Sequence, residues 1–135
     1  MNSAMEGPNA AGSLTGVRAL IVEDEFLLAL MLEEELNAAG CIIAHTAGDL
    51  AKARAAAHRA DFDVALLDIN LAGELVYPFA DELAQAGIPF VFMSGYGISN
   101  FPERFLDSPR VAKPYEVSAL IREIFRSLGK TMGGS

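Results

Sequence analysis

The chain is poor in the residues that several kinds of chemistry need. It has one cysteine, Cys41, in 135 residues, so no internal disulfide can form. Cys41 lies in an apolar run and reads as a small buried hydrophobe, and nothing points to an oxidising compartment. The only two histidines, His45 and His58, stand apart from each other and from the thiol. They offer no soft-metal cluster and read as ordinary, partly exposed side chains. Basic residues are also scarce, 10 against 18 acidic ones, for a formal net charge of -8. Nucleic acid and anionic membrane both attract the opposite sign, so neither is an expected partner. Long apolar runs are missing too. The longest, Phe26 to Leu32, is far too short to span a bilayer, and the N-terminus has no basic-then-apolar secretory pattern. A cytoplasmic location follows by default.

What is present is a chain of one-domain size that is 52% hydrophobic, enough to bury a core. Residues 1–16, rich in Gly, Ala, Ser and Asn, read as a flexible lead. Residues 129–135 read as a loose tail, which leaves 17–128 as the folded domain. Within it, short apolar strands alternate with helical stretches. Strands are expected at about Val17 to Glu23, Cys41 to Thr46, Val64 to Asp68, Phe90 to Met93 and Arg110 to Ala112. Helices are expected at about Glu25 to Ala39, Asp49 to Arg59, Val76 to Ala86, Ser99 to Leu106 and Glu116 to Leu128. Asp49 caps the second and Gly40 ends the first. In the first helix Leu28, Leu32, Leu36 and Ala39 form the inward stripe. The strands show no polar alternation, which marks them as buried on both faces of a parallel sheet. Five βα units imply an α/β fold with helices on both faces. Five strands exhaust the chain, which favours a flavodoxin-like (βα)5 arrangement, strand order 2-1-3-4-5, over the dinucleotide-binding order.

In that order the topological switch lies between the first and third strands. The first ends in Glu23-Asp24-Glu25 and the third in Asp68, so three carboxylates gather in one pocket. Like charges at close range repel unless a cation intervenes. Oxygen ligands suit a hard divalent ion, and Mg2+ fits a site with few protein ligands that keeps several waters. The fourth strand ends near Ser94 and the fifth is followed by Lys113. A hydroxyl and an ammonium complete an anion pocket, in which Asp68 can act as nucleophile toward a phosphoryl group. Taken singly, Asp68 reads as a helix cap, Ser94 as a turn residue and Lys113 as a solvated charge. Four such residues at successive strand ends of one sheet favour a site.

Four segments carry a family resemblance: Ile21-Val22-Glu23-Asp24-Glu25, Leu67-Asp68-Ile69-Asn70, Met93-Ser94-Gly95 and Ala112-Lys113-Pro114-Tyr115. In order and spacing they resemble the receiver domain of two-component response regulators, over about residues 17–128. The stretch from Pro89 to Gly97 further resembles a subgroup with a Pro-Phe-x-Phe-Ala-Thr-Gly-Tyr motif, many of whose members are single-domain proteins. Here Met93 and Ser94 replace Ala and Thr. The resemblance implies that Asp68 is the phosphoacceptor, that Asp24 binds Mg2+ directly and that Glu23 acts through water. It implies that the Asn70 backbone carbonyl binds the metal while its side chain faces the hydrolytic water. Ser94 and Lys113 match the phosphoryl-contacting pair, Lys113-Pro114 is a candidate cis peptide, and Gly95 leaves the pocket mouth open. One position departs from the pattern: Arg110 stands where an aromatic switch residue is usual, which makes Tyr96, with Ser94, the aromatic switch candidate.

The start of the first helix has apolar residues to spare, and Leu27, Leu30 and Met31 are candidate contacts for a sensor histidine kinase or phosphotransfer protein. No DNA-binding segment follows Leu128, so output is expected through a downstream protein partner, with a weak homodimer as a further association. The function implied is a stand-alone phosphoacceptor switch with slow autodephosphorylation and no external turnover. A phosphate sink or shuttle, and a receiver excised from a longer chain, are alternatives within the same reading. An aspartyl-phosphate phosphohydrolase would show Asp-x-Asp after the first strand, and a flavodoxin a phosphate-cradling loop there; this chain has three acids instead.

Overall fold

The computed structural model describes residues 14–95 and 101–129. The elements run β1 (Arg18–Val22), α1 (Phe26–Ala38), β2 (Ile42–Ala47), α2 (Leu50–Arg59) and β3 (Val64–Asp68). A two-stranded hairpin, β4 (Asn70–Leu71) and β5 (Glu74–Leu75), follows. Next come α3 (Tyr77–Gln85), β6 (Phe90–Ser94), a 3-10 turn (Glu103–Phe105), β7 (Arg110–Ala112) and α4 (Val117–Ser127). The five long strands form one parallel sheet in the order β2-β1-β3-β6-β7. With the hairpin set aside, this is the flavodoxin-like order 2-1-3-4-5.

The sheet is covered on both faces. Successive strand residues point to opposite sides. Leu20, Val22, Leu67 and Phe92 therefore pack toward α2 and α3, whereas Ala19, Ile21, Leu66, Val91 and Met93 pack toward α1 and α4. That is why the central strands read as unbroken apolar runs. Asp49 caps α2 by accepting a hydrogen bond from the Lys52 amide at 2.8 Å. Cys41 is buried, and burial pushes its thiol up to about 11, which leaves it unreactive. His45 lies 2.8 Å from Asp61, and His58 is exposed on α2. No helix among the described residues is long and apolar enough to cross a membrane.

Several local expectations are corrected. The inward stripe of α1 is Ala29, Leu32 and Leu36, and Leu28 is 38% exposed. Spacings of three and four from Leu32 and Leu36 lead back to Ala29, about 100° round the helix from Leu28. The folded body reaches back past the expected boundary at residue 17. Leu14 is fully buried, and its amide donates to the Ala39 carbonyl at 2.7 Å. The loop expected after Asp68 contains the hairpin, closed by Asn70 Oδ1 accepting from the Gly73 amide at 2.6 Å. In place of a helix from Ser99 to Leu106, the described part of that segment holds only the 3-10 turn, entered from Pro102. Tyr96 lies outside the described residues.

Candidate functional site: an acidic pocket with one ammonium

Because β1 and β3 are adjacent and parallel, their carboxyl ends emerge side by side, with Val22 opposite Leu67. The next residues are Glu23 and Asp24 on one chain segment and Asp68 on the other. Oxygens of Glu23, Asp24 and Asp68 come within 4.8 Å of one another. Glu23 is buried, at 4% exposure, and Asp68 is mostly so. Lys113 enters from the loop after β7, and the Lys113–Pro114 peptide is cis. Its ammonium donates to Glu23 Oε1 at 3.0 Å and lies 3.6 Å from Asp68 Oδ1. The other Glu23 oxygen accepts from the Glu25 amide at 3.1 Å. Glu23 is thus engaged on both oxygens, whereas Asp24 and Asp68 keep oxygens to offer.

The electrostatics follow from this arrangement. Burial, then the neighbouring charge of Glu23, raise the Asp68 carboxyl to about 7. Lys113 pulls the other way, while a hydrogen bond with Glu23 and the charge of Asp24 add to the rise. Burial opposes the charge on Lys113, but Glu23 and Asp68 outweigh it and hold the ammonium above its ordinary range. Three carboxylates against one ammonium leave the pocket short of positive charge. The donor set is all hard oxygen. Three carboxylates whose oxygens gather within 4.8 Å of one another suit a hard divalent ion such as Mg2+. The residues therefore fit a small divalent cation.

The remaining expected residues fall around this centre. Ser94 ends β6; its carbonyl accepts from the Lys113 amide at 2.6 Å, which locks the two chain segments together. Its hydroxyl donates a long bond, 3.4 Å, to the Val111 carbonyl. A Cβ on Gly95 would meet nothing within 4 Å among the described residues. Asn70 begins the hairpin beside Asp68, but its side chain is committed to the Gly73 amide, making it a turn former here.

A cavity of about 440 Å³ opens beside the acidic centre, between α1 and the loop after β7. Met31, Leu28, Met93, Pro114 and Tyr115 line it, with Glu23 and Lys113 at its inner end. Of the apolar contact candidates on α1, Met31 (55% exposed) borders this cavity, whereas Leu27 and Leu30 are exposed without lining it. Phe26, the first residue of α1 and not among those candidates, is 77% exposed. Tyr115 was not singled out as a site residue. It is half-buried, and burial followed by the charges of Glu35 and Glu23 pushes its hydroxyl up to about 12. Its place directly after Lys113-Pro114 was the available sequence signal.

Comparison with known proteins agrees with this geometry. The family profile described as the response regulator receiver domain matches residues 19–125. The solution structure of SdrG from Sphingomonas melonis Fr1 is 36% identical, covers 83% of this chain and 95% of its own, and has a TM-score of 0.73. The receiver domain of the PhyR response regulator from Erythrobacter litoralis is 29% identical, with coverages of 86% and 92% and a TM-score of 0.70. A BeF3-activated conformation of SdrG, from Pseudomonas melonis Fr1, is 34% identical, with coverages of 82% and 95% and a TM-score of 0.70. No curated protein matches the chain. A parallel sheet in this order, an acidic cluster at its switch point and a profile match over most of its length place the chain in the response regulator receiver family.

Proposed function

We propose that the chain is a phosphoacceptor switch in which Asp68 takes a phosphoryl group from a phosphohistidine. The observation that carries this reading is the placement of Asp68. It is a nearly buried carboxylate at a strand end, faced by Glu23 and Asp24 and reached by one ammonium, Lys113. A cluster so short of positive charge is suited to binding a divalent cation and then a phosphoryl group, and poorly suited to existing alone.

In the transfer, an Asp68 carboxylate oxygen bonds to phosphorus as the donor's nitrogen–phosphorus bond breaks, and the electron pair leaves on the imidazole nitrogen. Lys113 would neutralise one phosphoryl oxygen. The Ser94 hydroxyl would hydrogen-bond another, since its present bond to Val111 is long and is exchanged at little loss. Asp24 and Asp68 would supply direct oxygens to Mg2+, Glu23 a water-mediated one and Asn70 its backbone carbonyl. A cation held there would supply positive charge to offset that of the phosphoryl oxygens. Release is slow hydrolysis of the acyl phosphate by water.

The Pro89 to Gly97 stretch supports assignment to the single-domain subgroup, and the similarity to SdrG points the same way. A sensor histidine kinase or phosphotransfer protein would dock over the start of α1, where Leu27, Leu30 and Met31 are exposed next to the pocket. Output would pass to a downstream protein in the cytoplasm. Ser94 and Tyr96 would be the switch residues, of which Ser94 lies within the described residues and Tyr96 outside them. Beryllofluoride, the phosphoryl mimic in the comparison structure, provides the test. With Mg2+ it should shift the backbone NMR signals of Asp68, Asn70, Ser94 and Lys113 in the wild type and leave Asp68→Asn unchanged. Equal shifts in both proteins would reject the reading.

A further inference from the structure

Arg110 stands where the receiver pattern has an aromatic ring, and the structure shows what it does instead. Its guanidinium carbon sits 4.5 Å above the centroid of the Phe101 ring. It makes no ion pair among the described residues, unlike Arg104 nearby, which is held by Asp81. Phe101 stands edge-on to Phe92, at 5.4 Å and 88°, and to Tyr77, at 5.9 Å and 84°. Phe92 is the strand partner of Arg110 in the β6–β7 register. One cluster thus joins three segments. Tyr77 opens α3, directly after the hairpin that follows Asp68. Phe92 lies two residues before Ser94 on β6. Arg110 lies three residues before Lys113 on β7. The β6 segment carries Ser94 and the β7 segment leads into Lys113, whereas Tyr77 is separated from Asp68 by the hairpin.

We propose that Arg110 is a positioning residue for this pocket, acting through Phe101. The cation above Phe101 presses that ring onto Phe92 and Tyr77, and the cluster sets the spacing of the β6 and β7 ends, the first bearing Ser94 and the second leading into Lys113. The ladder bond from the Lys113 amide to the Ser94 carbonyl, 2.6 Å, transmits the β6–β7 spacing to the site. A charge on a ring thereby replaces a ring turning in the core. The proposal rests on the phosphoacceptor reading above.

The test compares wild type with Arg110→Met, which keeps length and loses charge, Arg110→Lys, which keeps charge, and Phe101→Leu. Beryllofluoride affinity in the presence of Mg2+ is one readout, and the aromatic NMR signals of the mimic-free protein are the other. Arg110→Met is expected to weaken the mimic by about two- to five-fold, the factor an exposed cation–π contact corresponds to, and to move the Phe101, Phe92 and Tyr77 ring signals. Arg110→Lys should recover most of both. Arg110→Met combined with Phe101→Leu should lose no more than the larger single effect. Unchanged ring signals or affinity in Arg110→Met, or losses that simply add in the double variant, would overturn the positioning role while leaving Asp68 as phosphoacceptor. A wild type that takes no beryllofluoride would overturn the phosphoacceptor reading and the positioning role with it.

Discussion

Replacing Asp68 by Asn should stabilise the metal-free protein at neutral and mildly alkaline pH. The cause is the crowding of Glu23, Asp24 and Asp68 around one ammonium. A carboxyl raised from 3.8 to about 7 holds its proton more tightly in the folded than in the unfolded chain. Folding then binds a proton between those values, so stability falls as pH rises through that window and the loss is complete above about 7. Three pH units correspond to on the order of 4 kcal/mol as an upper bound. Roughly 2 kcal/mol of it develops between about pH 5.5 and pH 8 by the same linkage. Asn is nearly isosteric with a protonated Asp, keeps the backbone and leaves the Lys113–Glu23 pair at 3.0 Å intact. Urea unfolding of both proteins in a chelator, at several pH values across that range, reads the effect. The Asn variant should be more stable by a few kcal/mol at the alkaline end, and the curves should converge toward acid. Mg2+ should narrow the gap by stabilising only the wild type. Parallel stability curves, or a less stable Asn variant at pH 8, would refute the electrostatic account of the pocket.

Three other outcomes follow from the same geometry. Lys113→Met leaves buried Glu23 without its cation, and chemical denaturation should show a loss of roughly 3 kcal/mol, partly restored by adding Glu23→Gln. Gly40 has a φ of +95°, and a Cβ there would meet Thr15 Oγ1 at 2.8 Å and Thr15 Cα at 2.9 Å. Gly40→Ala should therefore lower Tm clearly more than Gly73→Ala, where φ is +96° but nothing among the described residues lies within 4 Å and only the backbone strain of about 1 kcal/mol remains. Met31→Glu adds a charge at the cavity mouth, and should slow phosphotransfer from a partner histidine kinase by more than it slows phosphorylation by acetyl phosphate, both followed by Phos-tag gels.

The sheet was legible because strands buried on both faces leave a plain mark, an apolar run without alternation, and because right-handed crossovers leave few orders for five such runs. Once the order was set, Glu23, Asp24 and Asp68 had to converge, since carboxyl ends of neighbouring parallel strands share one rim. The pairing of Lys113 with Glu23 was less visible: the two are 90 positions apart, and nothing local to either names its partner. The phase of α1 was misread at Leu28 because Phe26 to Leu32 is apolar on every side of the helix. Contact with the sheet, and not sequence periodicity, decides that Ala29 turns inward. The hairpin after Asp68 was hidden by its brevity. Its strands are two residues each, and its turn places a non-glycine, Ala72, at a φ of 54°. Leu14 looked like part of a polar lead because one buried leucine among small residues has no period to reveal it.

The most direct test of Asp68 as phosphoacceptor is intact mass after incubation with acetyl phosphate and Mg2+. Wild type should gain one phosphoryl group, removable by hydroxylamine as an acyl phosphate is, and a chelator should prevent the gain. Asp68→Asn, folded by the same NMR criteria, should gain none. An equal gain in Asp68→Asn, or no gain in the wild type with the cation bound, would contradict the account.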